Sequence, residues 1–148
     1  YPSVPFVFEK LNLQWHFEDL TWQDYYRIGN TNIFDAAVLW KQHSYIPGTQ
    51  MCLSFQFKKH LSLGRGGMIL LDDLVSYKQL KKMRYDGRDD NVPWVEQNID
   101  TVGYHYYMTP ETAQRGLDLF QTASLTAPPR WDHSCYPDLS KMAVFNNE

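Results

Sequence analysis

At 148 residues the chain is long enough for one domain with a sizeable core. Its 14 lysines and arginines against 17 acids leave a net charge of -3, which argues against a nucleic-acid binder with a basic face. No run of about 18 apolar residues is present, so no membrane-spanning helix is expected. Two cysteines, Cys52 and Cys135, form neither a metal-binding pattern nor a disulfide framework, and a reducing, cytoplasmic setting is the expectation. Aromatic residues make up 16% of the chain, so many rings must be buried or must face a ligand or partner. The sequence opens at Tyr1 rather than methionine, which suggests a processed piece or a partial sequence.

In chain order, Leu11, Leu13, Trp15 and Phe17 alternate with Asn12, Gln14, His16 and Glu18, a period of two that predicts a half-buried strand. Residues 18–28 read as a short helix with Leu20, Trp22, Tyr25 and Tyr26 on its inner face, followed by a turn at Gly29-Asn30. Short apolar runs follow. Ile33-Phe34 leads to Asp35, Met51 to Phe57 is rich in strand formers, and Met68-Ile-Leu-Leu71 comes after Gly64-Arg-Gly-Gly67. Such runs suit a sheet covered on both faces. Asp72 or Asp73 caps a helix over about 73–86, with Leu74, Tyr77, Leu80 and Met83 or Arg84 at helical spacing, basic residues in its C-terminal half, and Gly87 to end it. Residues 88–102 read as a loop. Thr109-Pro110-Glu111 starts a helix whose packing face is Ala113, Gly116, Leu117 and Phe120. From Ala127 onward the chain reads as an irregular tail.

The residues able to do chemistry gather in the middle. Asp35 ends one apolar strand, Ser54 and Lys59 flank the end of the next, and Gly64, Gly66 and Gly67 form a flexible turn. In open α/β sheets ligands collect at the carboxyl ends of strands. A hydroxyl and backbone N–H groups at glycines can hold a phosphate there, a lysine can react with an aldehyde, and a carboxylate can hold a protonated pyridine nitrogen. These are the parts of a pyridoxal phosphate (PLP) site. They also occur in an ordinary turn bearing a solvated Lys58-Lys59 pair. His16, His43, His60 and His133 lack metal-ligand spacing.

The run Ser54-Phe-Gln-Phe-Lys-Lys-His-Leu-Ser-Leu-Gly-Arg-Gly-Gly67 resembles the signature of the DegT/StrS group of sugar-nucleotide aminotransferases: Ser-Phe, three residues, a Schiff-base lysine, then Gly-Glu-Gly-Gly. Ile33-Phe-Asp-Ala-Ala37 is similar to the segment whose aspartate meets the cofactor nitrogen. Met83-Arg-Tyr-Asp-Gly-Arg-Asp-Asp90 and Gly103-Tyr-His-Tyr-Tyr-Met-Thr109 resemble two further stretches in the same order. The resemblance implies Lys59, not Lys58, as the Schiff-base lysine. It also implies Asp35 at the pyridine nitrogen, Ser54 at the phosphate, and His105 in place of an asparagine that reaches phosphate in the partner subunit. Three departures stand out: Val38 where the family has Gln or His, Arg65 in place of Glu, and Tyr107 in place of Arg.

The implied fold is part of the large α/β domain of a fold-type I PLP-dependent transferase, a mainly parallel sheet with flanking helices, here incomplete. The implied organisation is an unplaced strand and helix segment over residues 1–30, a transferase-like core over 31–122, and a tail over 123–148. The implied reaction moves an amino group from an amino acid, glutamate in the first instance, to a nucleotide-linked keto sugar, as in polysaccharide biosynthesis. A homodimer, or a partner chain, goes with it. A related PLP-dependent sugar dehydratase would lack the lysine. A non-catalytic subunit completing another chain, and an unrelated small globular domain, are the other readings.

Overall fold

A computed structural model describes residues 1–146, which divide into two compact units: residues 25–129, and residues 1–24 together with 130–146. The first contains a four-stranded sheet in the order β1-β2-β3-β4, built from Tyr26–Arg27, Ile33–Asp35, Gln50–Ser54 and Gly67–Leu70. The Gly29-Asn30 turn folds β1 back on β2 as an antiparallel hairpin, with Tyr26 opposite Asp35 and Arg27 opposite Phe34. Residues 36–49 then cross over, so β3 runs parallel to β2 with Asp35 opposite Cys52. Residues 55–66 return as a tight loop, and β4 is antiparallel to β3. The α/β class holds, but the pairing is mixed, with β2 and β3 the one parallel pair. A short return without a crossover helix can only join antiparallel neighbours.

Two small cores flank this sheet. Ala36, Leu39 and Met51 are buried together, with Phe34, Tyr45, Ile46, Leu53 and Leu70 against them. Phe55, Leu61, Leu63 and Ala123 form the other, with Trp40 and Met108. Coverage on both faces does not extend to β4, where Met68 and Ile69 are exposed.

The helix α2 spans Leu74–Met83, and Asp73 is its cap, accepting from the N–H groups of Val75 and Ser76. Asp72 instead accepts from Gly48 N–H at 2.9 Å. Leu74 and Tyr77 are exposed, so only Leu80 and Met83 of the expected inner face are half-buried. The helix α3 spans Pro110–Leu125, capped by Thr109, whose hydroxyl accepts from Thr112 N–H. Its packing stripe is Gly116 and Ala123, seven residues apart, with Phe120 edge-on to Trp40 at 5.9 Å. Leu117 lies a third of a turn round from Gly116 and is 70% exposed. A Cβ on Gly116 would come within 3.1 Å of Leu63 Cδ1, which is why the smallest residue sits there.

In the other unit, α1 spans Ser3–Lys10, an element the alternating pattern did not predict. It ends where Asn12 takes a left-handed φ of 51°, with Asn12 N–H donating to Glu9 O and Leu13 N–H to Phe8 O. Those two bonds make a Schellman ending. The strand expected over residues 11–17 does not form, because no neighbouring strand supplies a ladder. Trp15 and Phe17 instead set their rings edge-on to Phe145, at 5.8 and 5.2 Å. The helix expected over 18–28 is absent too. Gln23 bridges to Asp132, Trp22 stacks obliquely on Tyr136, and in the sheet-bearing unit Tyr26 is part of β1. Three short 3-10 turns, at His133–Cys135, Leu139–Lys141 and Ala143–Phe145, make up the tail.

Candidate active site

Because β2 and β3 are parallel, their carboxyl ends lie on the same edge of the sheet. Asp35 is the last residue of β2 and Ser54 the last of β3. Asp35 is paired with Cys52, and Ser54 is two residues further along the same strand, so the three side chains share one face. The Asp35 carboxylate is held at both oxygens: Tyr26 O–H donates to Oδ2 at 2.7 Å, and Ala37 N–H donates to Oδ1 at 3.0 Å. Cys52 feels that charge. Burial, and then the nearby Asp35 carboxylate, push its thiol above the ordinary cysteine pKa, so it stays protonated.

The chain leaves β3 in a tight turn. Ser54 Oγ accepts from Gln56 N–H at 3.2 Å, and Gln56 O accepts from Lys59 N–H at 2.8 Å. The turn separates the two lysines. Lys58 is exposed, with its ammonium 5.6 Å from the Phe57 ring, while Lys59 is half-buried. Burial lowers the pKa of the Lys59 amine, and Coulombic attraction to Asp35 restores part of that shift. Asp35 therefore acts on both Cys52 and Lys59. Beyond the lysines the loop is tied down by His60, whose Nε2 lies 2.9 Å from Ala123 O and 3.2 Å from Thr126 Oγ1. Gly66 closes it with φ at 94°, and its carbonyl accepts from Phe55 N–H at 2.9 Å. A Cβ on Gly67 would run into the Leu53 carbonyl oxygen, so the glycines serve the β3–β4 approach. Arg65 is exposed in this loop, and Val38 is half-buried just past Ala37.

His105 has a different set of partners. Its Nδ1 lies 3.2 Å from Asp86 Oδ2, which also accepts from Arg88 Nη2 at 2.8 Å, and its ring meets Tyr107 edge-on at 4.5 Å. Arg88, first, and then His105 hold the Asp86 carboxyl below its usual range. Arg88 lies over the Tyr85 ring at 4.1 Å, and the His105 side chain is 71% exposed. Asp35 and Ser54 thus share one sheet edge, Lys59 sits in the turn beyond β3 within the field of Asp35, and His105 belongs to a second polar cluster. Two open depressions, of about 740 and 400 Å³, are lined by residues such as Trp15 and Thr101 and include none of Asp35, Ser54, Lys59 or His105.

Sequence reasoning missed Tyr26 and Cys52. The signal for Tyr26 was the Gly29-Asn30 turn: a hairpin about it sets Tyr26 across from Asp35. The assumed helix over 18–28 hid that pairing.

The model of the DegT/DnrJ/EryC1/StrS aminotransferase family matches residues 46–130. The chain belongs to this family. The DegT-family match begins just before β3, takes in the Lys59 turn, β4, α2, His105 and α3, and ends just past α3, while Tyr26 and Asp35 precede it. The family implies a fold-type I PLP-dependent transferase, of which the mixed α/β sheet unit is a part. No curated protein and no solved structure matches the chain. The donor set at the sheet edge has the chemistry that PLP requires: an amine whose proton is loosened by burial, a carboxylate pinned by two donors, and a hydroxyl at a strand end. Among the described residues, no group of histidines, cysteines and acids is arranged to hold a metal ion, and no helix is long and apolar enough to cross a membrane.

Proposed function

We propose that this chain takes part in PLP-dependent transfer of an amino group from an amino acid, glutamate, to a keto sugar carried on a nucleotide, in the making of deoxyamino sugars for cell-surface polysaccharide. One observation carries the reading. A half-buried lysine, inside the stretch matched by the family, lies in the field of a carboxylate held by two hydrogen bonds.

Lys59 would hold the cofactor through its amine, and the same amine would serve as the base for the proton at the substrate carbon. Burial favours the neutral amine that both tasks require. Asp35 faces the pyridine nitrogen and keeps it protonated, a role suited to a carboxylate that cannot rotate freely. When bound, PLP supplies an electron sink for the charge left at that carbon. Ser54 and His105 bind phosphate, His105 from the partner subunit of a homodimer, which accounts for its exposure on a separate cluster. Tyr107, edge-on to the His105 ring, shapes the second of these contacts. A sugar dehydratase is disfavoured by the same lysine.

The test is covalent. Protein mixed with pyridoxal phosphate and reduced with borohydride is digested, and the labelled peptide is located by mass spectrometry. Label is expected on Lys59, abolished by Lys59→Ala and retained in Lys58→Ala. Label on Lys58, label scattered over surface lysines, or none at all would overturn the reading in favour of a non-catalytic subunit.

A further inference from the structure

Asp35 lies across the parallel pair from Cys52 and its charge also bears on Lys59, so what fixes its carboxylate shapes the electrostatics of the sheet edge. Two donors do this. Ala37 N–H is backbone and comes with the chain reversal after β2. Tyr26 O–H is a side chain brought from another strand, and the register of the β1–β2 hairpin puts it directly across from Asp35. The 2.7 Å bond is the short, charge-assisted kind, which fixes the orientation of its acceptor. Tyr26 is half-buried, which limits competition from water for the Oδ2 lone pair. The strand that carries it is only two residues long and lies at the sheet's edge, where it completes no core cluster.

We infer that Tyr26 is a positioning residue, whose phenol holds the Asp35 carboxylate in the single orientation the site uses. The inference rests on the reading of Asp35 and Lys59 given above. Tyr26 works through its bond to Asp35. It acts by leaving Asp35 one conformation, and so one distance to Lys59 and to the pyridine nitrogen. Without it the carboxylate keeps only the Ala37 bond and can turn about its side-chain torsions. Its attraction for the Lys59 ammonium is then spread over several positions and weakened.

The experiment reads Lys59 in the full chain without cofactor. Competitive acetylation across a pH series, quantified on the Lys59 peptide, gives the midpoint at which its amine loses a proton, and exposed Lys58 in the same digest is the internal reference. Tyr26→Phe is expected to lower the Lys59 midpoint by roughly half a pH unit, against roughly one for Asp35→Asn, because an opposite charge nearby raises a lysine pKa. On the Asp35→Asn background Tyr26→Phe is expected to add nothing, and Tyr25→Phe is expected to leave the wild-type midpoint unchanged. An unchanged Lys58 midpoint and far-UV spectrum show that the turn and the fold survive the substitution. A Lys59 midpoint that does not move in Tyr26→Phe, or that moves equally with and without the Asp35 carboxylate, overturns the inference. Borohydride labelling of the wild type judges the proposed function separately, so failure of one result leaves the other standing.

Discussion

A lysine that is to react with an aldehyde must first lose its proton, and removing it from water is a direct way to loosen that proton. Lys58 and Lys59 differ in this respect: adjacent in the chain, one exposed and one half-buried. The lowered pKa of Lys59 has a consequence for stability as well as reactivity. Between its folded value and the unfolded lysine value of 10.5, the unfolded chain binds a proton that the folded chain does not. Stability contributed through this residue therefore rises with pH across that window, and the penalty for a buried ammonium is complete below it. Lys59→Met removes the penalty. The variant is expected to be more stable than wild type at neutral pH, with the difference narrowing as pH rises toward 10.5. Urea midpoints at a series of pH values from neutral upward measure it, and a gap that widens with pH would contradict the assignment. Comparing the two proteins at each pH cancels the Cys52 thiol and the Tyr45 phenol, both shifted upward by burial and both titrating in alkali.

The elements fall into those fixed by neighbours in sequence and those fixed from a distance. At α3 the start is local: Thr109 caps, Pro110 occupies the first helical position, and the cap hydroxyl meets Thr112 N–H at 3.3 Å. Thr109→Ala is expected to cost about 1 kcal/mol, the usual value for a lost hydroxyl cap, while Thr109→Ser retains most of it. Urea unfolding measures both, and equal stability of the alanine and threonine proteins would show the cap idle. Such signals are why α2 and α3 were legible from the sequence, Asp73 doing for one what Thr109 does for the other. The apolar runs of β2, β3 and β4 were legible for a similar reason, since each is short and bounded by turn residues. The opposite holds between residues 11 and 28. Trp22, Tyr25 and Tyr26 do fall at helical spacing, yet Trp22 faces Tyr136 at 5.6 Å, Tyr25 meets Phe34 at 5.9 Å, and Tyr26 reaches Asp35. Tyr136 is remote in sequence, and Phe34 and Asp35 lie across the β1–β2 hairpin; these tertiary partners outweigh a weak local preference. The same limit applied at the candidate site. Asp35 and Ser54 could be picked out as strand ends, and a motif singled out Lys59. Tyr26 could not be found without the hairpin register, nor the Asp35–Cys52 pairing without the parallel crossover.

At the scale of the whole chain, the division into two units separates chemistry from the remainder. Tyr26, Asp35, Cys52, Ser54, Lys59 and His105 all lie within residues 25–129, as do the four strands, α2, α3 and both hydrophobic clusters. The other unit has its own means of order, in the Schellman ending of α1 and in rings gathered on Phe145 and Tyr136. It also lies outside the family match except for Arg130. Residues 25–129 expressed alone are therefore expected to keep the helical far-UV signal of α2 and α3 and to take the borohydride-trapped label on Lys59 at the rate of the full chain. Two measurements on the shortened chain decide this: circular dichroism for the fold, and mass spectrometry of the labelled peptide for the site. A folded fragment that no longer labels would mean that residues 1–24 or 130–148 complete the surroundings of Lys59. A fragment with no helical signal would mean that the two small cores, with Met51 the largest fully buried side chain, need the rest of the chain to hold. The expected result follows from position: the hairpin, the parallel pair and the turn after β3 that place Asp35 and Lys59 are encoded between Tyr25 and Pro129.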